Sequence, residues 1–222
     1  MASSLGVEKA GFGYSSIGSS VRERKMVVIV LLRLLALLAT LAAALIMGLN
    51  KETKTFVVAT VGTSSIEVTL AARFQDTPAN IQTLELSNGV HACSFLVVAN
   101  ALASFHNLLM LAVEIFGKKL DANGNRLMLI STLDIINLGI LSAGAASSAF
   151  MGELAKNGNS HAQWNKVCDK FETFCKHGAG ATLASFIGLA FLLAVTLISI
   201  FRLRQTPNNA HANAHANANA SV

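Results

Sequence analysis

The sequence predicts an all-α integral membrane protein, a four-transmembrane-helix bundle with both termini cytosolic. Three observations predict it. Charged residues are only 13% of the 222, against about 25% in soluble domains, and the mean hydropathy is +0.54. The missing charge is concentrated into four long windows, and basic residues cluster at one end of each.

The first window, Met26 to Asn50, holds one charge, Arg33. Leu86 to Val113 holds none, Leu127 to Gly152 only Asp134, and Gly178 to Phe201 none. Each supplies the roughly 20 residues that a helix needs to cross about 30 Å of hydrocarbon. Lipid tolerates only helices or closed barrels, and these unalternating runs are too long for barrel strands. The spans are expected at about 27–48, 90–112, 128–150 and 179–200. The first begins too far into the chain, and runs too long, for a signal-peptide core, so it is read as an uncleaved span.

Four spans put both termini on one side. Arg22, Arg24, Lys25, Lys118, Lys119, Arg126, Arg202 and Arg204 bracket that side of all four helices, which assigns it to the cytosol. The excess of 17 Lys and Arg over 12 Asp and Glu thus reads as a membrane-surface patch able to hold anionic lipid. No nucleic-acid partner is expected. Residues 1–25 read as a flexible cytosolic segment and 26–204 as the membrane domain. The tail at 205–222, rich in Asn, Ala and His, has no apolar face and is expected to be disordered. His211 and His215 would be weak metal ligands at most, and Asn219-Ala220-Ser221 is a glycosylation acceptor on the wrong side of the membrane.

The outer loops are expected at about 49–89 and 151–178. Phe56 to Leu70 is rich in β-branched residues, which suggests a short strand or hairpin. The inner loop, GKKLDANGN, is turn-like and makes the second and third helices antiparallel neighbours.

Arg33 lies about 9 Å, and Asp134 about 10 Å, from the cytosolic ends of helices that run the same way. An isolated charge in lipid costs a few kcal/mol, so the two are expected to form an intramembrane ion pair. Asn137 shares the Asp134 face and is a polar neighbour of the pair. Asn100, Ser104 and Asn107 form a polar stripe on the second span, with His106 beside it. Small residues at four-residue spacing (Gly139 and Ala143, Gly144 and Ser148, Gly180, Ala184 and Gly188) are expected to pack helices closely, chiefly within the bundle.

The second outer loop carries Trp164, Cys168, Phe171, Phe174 and Cys175, as W-x3-C-x2-F-x2-F-C. An oxidising compartment would preserve a disulfide there. Residues seven apart in a regular helix are too distant for one. Either the chain bends between Cys168 and Cys175, or each cysteine bonds elsewhere, including to another protomer. Cys93 is expected to be a free thiol. No nucleotide loop, dinucleotide fingerprint, HExxH or G-x-S-x-G is present, so neither an enzyme nor a cofactor or metal is expected.

With Arg33, Asp134, FQDTPA at 74–79, VVAN at 97–100 and the Trp-Cys-Phe-Cys loop, the chain resembles the CASP-like proteins of plants. These are relatives of the Casparian strip membrane domain proteins and, more distantly, of MARVEL-type four-helix proteins. The resemblance implies a multi-pass protein of the cell membrane that forms homodimers, heterodimers or higher oligomers with itself and related family members. The strip-forming members build an immobile scaffold that recruits cell-wall-modifying enzymes. Their Pro- and Phe-rich block in the first outer loop is absent here, so the broader CASP-like reading is adopted. The alternative is a small channel or transporter subunit using the Arg33–Asp134 pair.

Overall fold

The computed structural model describes the backbone of residues 5–61, 64–73, 84–116, 125–161 and 164–220. Side chains are described within 24, 26–59, 65–73, 93–116, 128–161 and 164–204. Four long helices dominate: α1 (Leu5–Gly48), α2 (Leu84–Phe116), α3 (Asn125–Asn157) and α4 (Glu172–Ala220). A hairpin of β1 (Lys51–Val61) and β2 (Ser64–Arg73) joins α1 to the α2 side of the chain. Each helix contains a stretch long and apolar enough to span a membrane: Met26–Gly48, Cys93–Phe116, Met128–Asn157 and Glu172–Arg204. FQDTPA and most of the GKKLDANGN loop lie outside the described residues.

Every helix buries one stripe at close to 3.5-residue spacing. In α1 it is Ile29, Arg33, Ala36, Thr40, Ala43 and Met47; in α4 it is Ala181, Ser185, Leu192, Val195 and Ser199. Strictly repeated alternate steps of three and four keep a seam facing its neighbours, as in left-handed helix bundles. α1 packs against α2 and α4, and both of those pack against α3, so α1 and α3 stand diagonally across the bundle. Two apolar clusters fill the axis: Met47, Leu96 and Ala181 toward the hairpin end, and Ala103, Leu141 and Leu192 nearer the middle.

Polar contacts stitch the helices between these clusters. The Thr40 and Ser104 hydroxyls meet at 2.9 Å, Asn100 Nδ2 donates to Ser185 Oγ at 3.0 Å, and the Ser148 and Thr182 hydroxyls meet at 2.8 Å. Such interhelical bonds contribute about 0.6 kcal/mol each in a membrane.

Two expectations are corrected. The segments at 1–25 and 205–222, expected to be flexible and disordered, continue α1 from Leu5 and α4 to Ala220. A helix already nucleated by a span adds residues at little cost, and a third of the tail is alanine, the best helix former. The second outer loop is much shorter than 151–178, because α3 runs to Asn157 and α4 starts at Glu172. Gly158 ends α3 at φ +69°, where a Cβ would stand 2.7 Å from the Trp164 carbonyl oxygen. That is a glycine C-cap, since only glycine enters this region without strain. The hairpin expected in the loop after α1 is present, as a ribbon longer than 56–70. Lys51 pairs with Arg73 and Phe56 with Val68, with a register shift between Val57 and Ala59.

Candidate functional site

Arg33 and Asp134 meet across the bundle diagonal. Arg33 Nη2 donates to Asp134 Oδ2 at 2.7 Å and Nη1 to Oδ1 at 3.1 Å. Both residues are 0% exposed. The parallel two-bond fork matches guanidinium to carboxylate geometry. A third group completes the site: His106 Nε2, from α2, stands 2.7 Å from Asp134 Oδ1. A carboxylate only accepts, so Nε2 presents the proton. Three helices are thereby tied to one side chain, and the contacts offset part of the cost of burying either charge alone.

Sequence reasoning placed His106 beside the polar stripe of α2 and missed its partner. The available signal was that a histidine one residue from Asn107 sits at the edge of the inward face. What could not be read was the rotation of α2 that aims it at α3. Asn137 is buried on the Asp134 face, yet its Nδ2 meets no hydrogen-bond partner among the described residues, so it does not join the pair as expected. Arg33 Nε, Asn107 Oδ1 and Ser131 Oγ are likewise buried without partners among those residues.

The small residues divide in two. A Cβ on Gly144 would lie 2.7 Å from Ala99 Cβ, and one on Gly188 would lie 2.7 Å from Thr40 Cγ2. These glycines set the close approach of α3 to α2 and of α4 to α1. Ser148 is buried against Thr182. Gly139 and Gly180 have nothing within 4 Å of a Cβ, Ala143 is exposed and Ala184 is half-buried. The expectation of internal packing fails for Gly139, Ala143 and Gly180. In α4 the buried stripe is Ala181, Ser185 and Gly188, so Gly180 stands about 100° off the face that seals the core.

At the hairpin end a second cluster caps the bundle. Cys168 and Cys175 are disulfide-bonded with Cα atoms 5.6 Å apart. The bend that this spacing needs is the turn preceding α4: the Cys168 and Val167 N–H groups both donate to the Ala155 carbonyl of α3. The disulfide thus ties a loop held by the end of α3 to the first turn of α4. Asn159 and Trp164 exchange backbone hydrogen bonds at 2.9 and 2.8 Å, closing the loop upon itself.

The start of the hairpin completes the cap. Asn50 Nδ2 donates to the Phe174 carbonyl at 2.8 Å, and Asn50 Oδ1 lies 3.2 Å from His177 Nδ1. Glu52 Oε2 accepts the Phe174 N–H at 2.7 Å, satisfying an orphan donor of the α4 N-terminus and placing negative charge at its positive end. Burial raises the Glu52 carboxyl, but the hydrogen bonds from the Phe174 N–H and from Lys54 outweigh it and hold it below the ordinary carboxylate value. Phe56 packs edge-on against Phe171, with centroids 6.1 Å apart at 77°. Phe174 packs beside the Met47, Leu96 and Ala181 cluster, with the free Cys93 as its neighbour there.

The cap contains no group of three or more metal-ligating side chains among the described residues. What it provides is a rigid, disulfide-pinned surface under a projecting ribbon. Val57, Val58 and Ile66 of that ribbon are more than half exposed.

Comparison with known proteins gives these features a setting. The family described as Casparian strip membrane protein domain matches residues 22–191. CASP-like protein 1B2 of Populus trichocarpa is 50% identical over 200 residues, covering 90% of this chain and 92% of the relative. CASP-like protein 1B2 of Arabidopsis thaliana is 51% identical over 178 residues, covering 80% and 84%. CASP-like protein 1B1 of Glycine max is 45% identical over 203 residues, covering 91% and 97%. No solved structure matches the chain.

Proposed function

The chain belongs to the Casparian strip membrane protein domain family, and from that premise we propose that this multi-pass protein is a non-enzymatic scaffold of the cell membrane. It assembles laterally with itself and with related family members. The observation that carries this reading is the outward placement of Gly139, Ala143 and Gly180, which leaves small residues on faces that the bundle does not use. In lipid, helices gain no hydrophobic drive to associate, and such faces allow the close packing that replaces it.

Two further features support a static role. The Arg33–Asp134 pair is closed and buried, and the apolar cluster of Met47, Leu96 and Ala181 stands between it and the hairpin end. A conduction path would need a polar route past that cluster. The disulfide favours placing the hairpin end outside the cell, where such a bond persists, and both termini in the cytosol. The ribbon and the disulfide cap are then the surface that meets the wall and recruits wall-modifying enzymes.

Imaging tests this reading. The tagged chain, expressed in its own tissue, should form a patterned domain with little recovery after photobleaching. Uniform distribution with full recovery would count decisively against a scaffold.

A further inference from the structure

Between the hairpin-side ends of α3 and α4 lies a cavity of about 690 Å³, roofed by Trp164 and the Cys168–Cys175 disulfide. Its walls are largely apolar, among them Met151, Val167 and Phe186. It sits on stretches of α3 and α4 that are apolar enough to lie in a bilayer, so lipid is the medium at its mouth. Its size is that of a small-molecule site.

The rim is charged in a particular pattern. Glu172 and Lys176 are paired with one another at 2.6 Å. Glu153 and Lys156, also on the cavity lining, are not paired in this way. Glu153 accepts from Asn157 through Oε1 alone, so Oε2 remains available. These two are the first charges of α3 beyond Asp134. Charges avoid hydrocarbon, and tryptophan collects at headgroup level, so Glu153, Lys156 and Trp164 mark the interface. One anionic and one cationic group, three residues apart above an apolar slot, match the phosphate and the amine of a zwitterionic headgroup.

We infer that this cavity is a binding site for a zwitterionic phospholipid of the hairpin-side leaflet. One acyl chain lies under Trp164 between α3 and α4, with the phosphate at Lys156 and the amine at Glu153. An acyl chain moving from bilayer to protein gains no hydrophobic energy, so selection comes from the headgroup charges and from fit in the slot.

Trp164 is the sole tryptophan and lines the cavity, which supplies the readout. The full chain is reconstituted in vesicles containing phosphatidylcholine or phosphatidylglycerol with dibrominated acyl chains, and Trp164 quenching is followed against mole fraction. Brominated phosphatidylcholine should quench beyond its mole fraction. Lys156→Gln should shift relative affinity away from phosphatidylglycerol by about fivefold, and Glu153→Gln toward it by about fivefold. Gly152 lines the cavity and a Cβ there meets nothing within 4 Å. Gly152→Phe should therefore fill the slot and return quenching to mole fraction, with helix content and the disulfide unchanged. Quenching that tracks mole fraction in the unaltered chain overturns the proposal. So does headgroup preference indifferent to both rim variants, displacement by sterol but not by phosphatidylcholine, or shielding of Trp164 that rises only with copies per vesicle.

Discussion

Replacing Asp134 by leucine should damage the bundle more than replacing Arg33, although the two form one ion pair. Asp134 accepts from Arg33 at 3.1 and 2.7 Å and faces His106 at 2.7 Å. Asp134→Leu strands a guanidinium that is 0% exposed. Breaking a buried pair from one side costs roughly 3–5 kcal/mol, or about two to nearly four orders of magnitude in the folding equilibrium. Arg33→Leu loses the same two hydrogen bonds but leaves the carboxylate with His106 as a remaining donor, so its cost should fall toward the low end of that range, about 3 kcal/mol. The double variant Arg33→Leu/Asp134→Leu removes both charges and should return to within about 2 kcal/mol of the original protein. Reversible unfolding in bicelles, followed by helix content, ranks the three. An Asp134→Leu variant as stable as the original, or an Arg33→Leu variant worse than Asp134→Leu, would refute the reasoning. A charge-swapped pair should rescue only partly, because His106 would then face an arginine.

Other consequences follow from the cap and the close contacts. Cys168→Ser should lower stability by roughly 2–3 kcal/mol, the chain-entropy value for so short a loop, and thermal unfolding with and without reductant measures it. Glu52 has a folded-state value below its ordinary 4.5. Its stabilising contribution is therefore complete above about pH 4.5 and is lost as pH falls through the folded value. Acid titration of stability should show this loss, and Glu52→Gln should remove that component. Gly144→Leu and Gly188→Leu must displace Ala99 Cβ and Thr40 Cγ2, each 2.7 Å from the added Cβ, and should cost about 1–3 kcal/mol by overpacking, whereas Gly139→Leu and Gly180→Leu should leave the unfolding of the monomer unchanged.

The spans were legible because hydrocarbon imposes a length and excludes charge, so four windows stand out in composition alone. The Arg33–Asp134 contact was legible because depth along a helix is a count of residues. Rotation was not. His106 reaches Asp134 only because of how α2 is rotated against α3, and a residue count does not carry that rotation. The same lack of rotation put Gly180 on an inner face, while Ala181 and Ser185 actually seal the core. The Gly158 cap was readable in principle, since a glycine after Asn157 and before a polar run is a helix stop. The Glu52 and Asn50 contacts with Phe174 were not, because they join residues more than 120 positions apart. The helical ends of α1 and α4 reflect propagation from a span, which local composition undervalues.

Lateral assembly through the outward small residues is the central claim, and oligomeric state in lipid nanodiscs tests it most directly. The original chain should cross-link as dimers or higher oligomers. The Gly139→Leu/Gly180→Leu variant should run as a monomer with unchanged helix content. A monomeric original chain, or a variant that assembles equally well, would contradict the account.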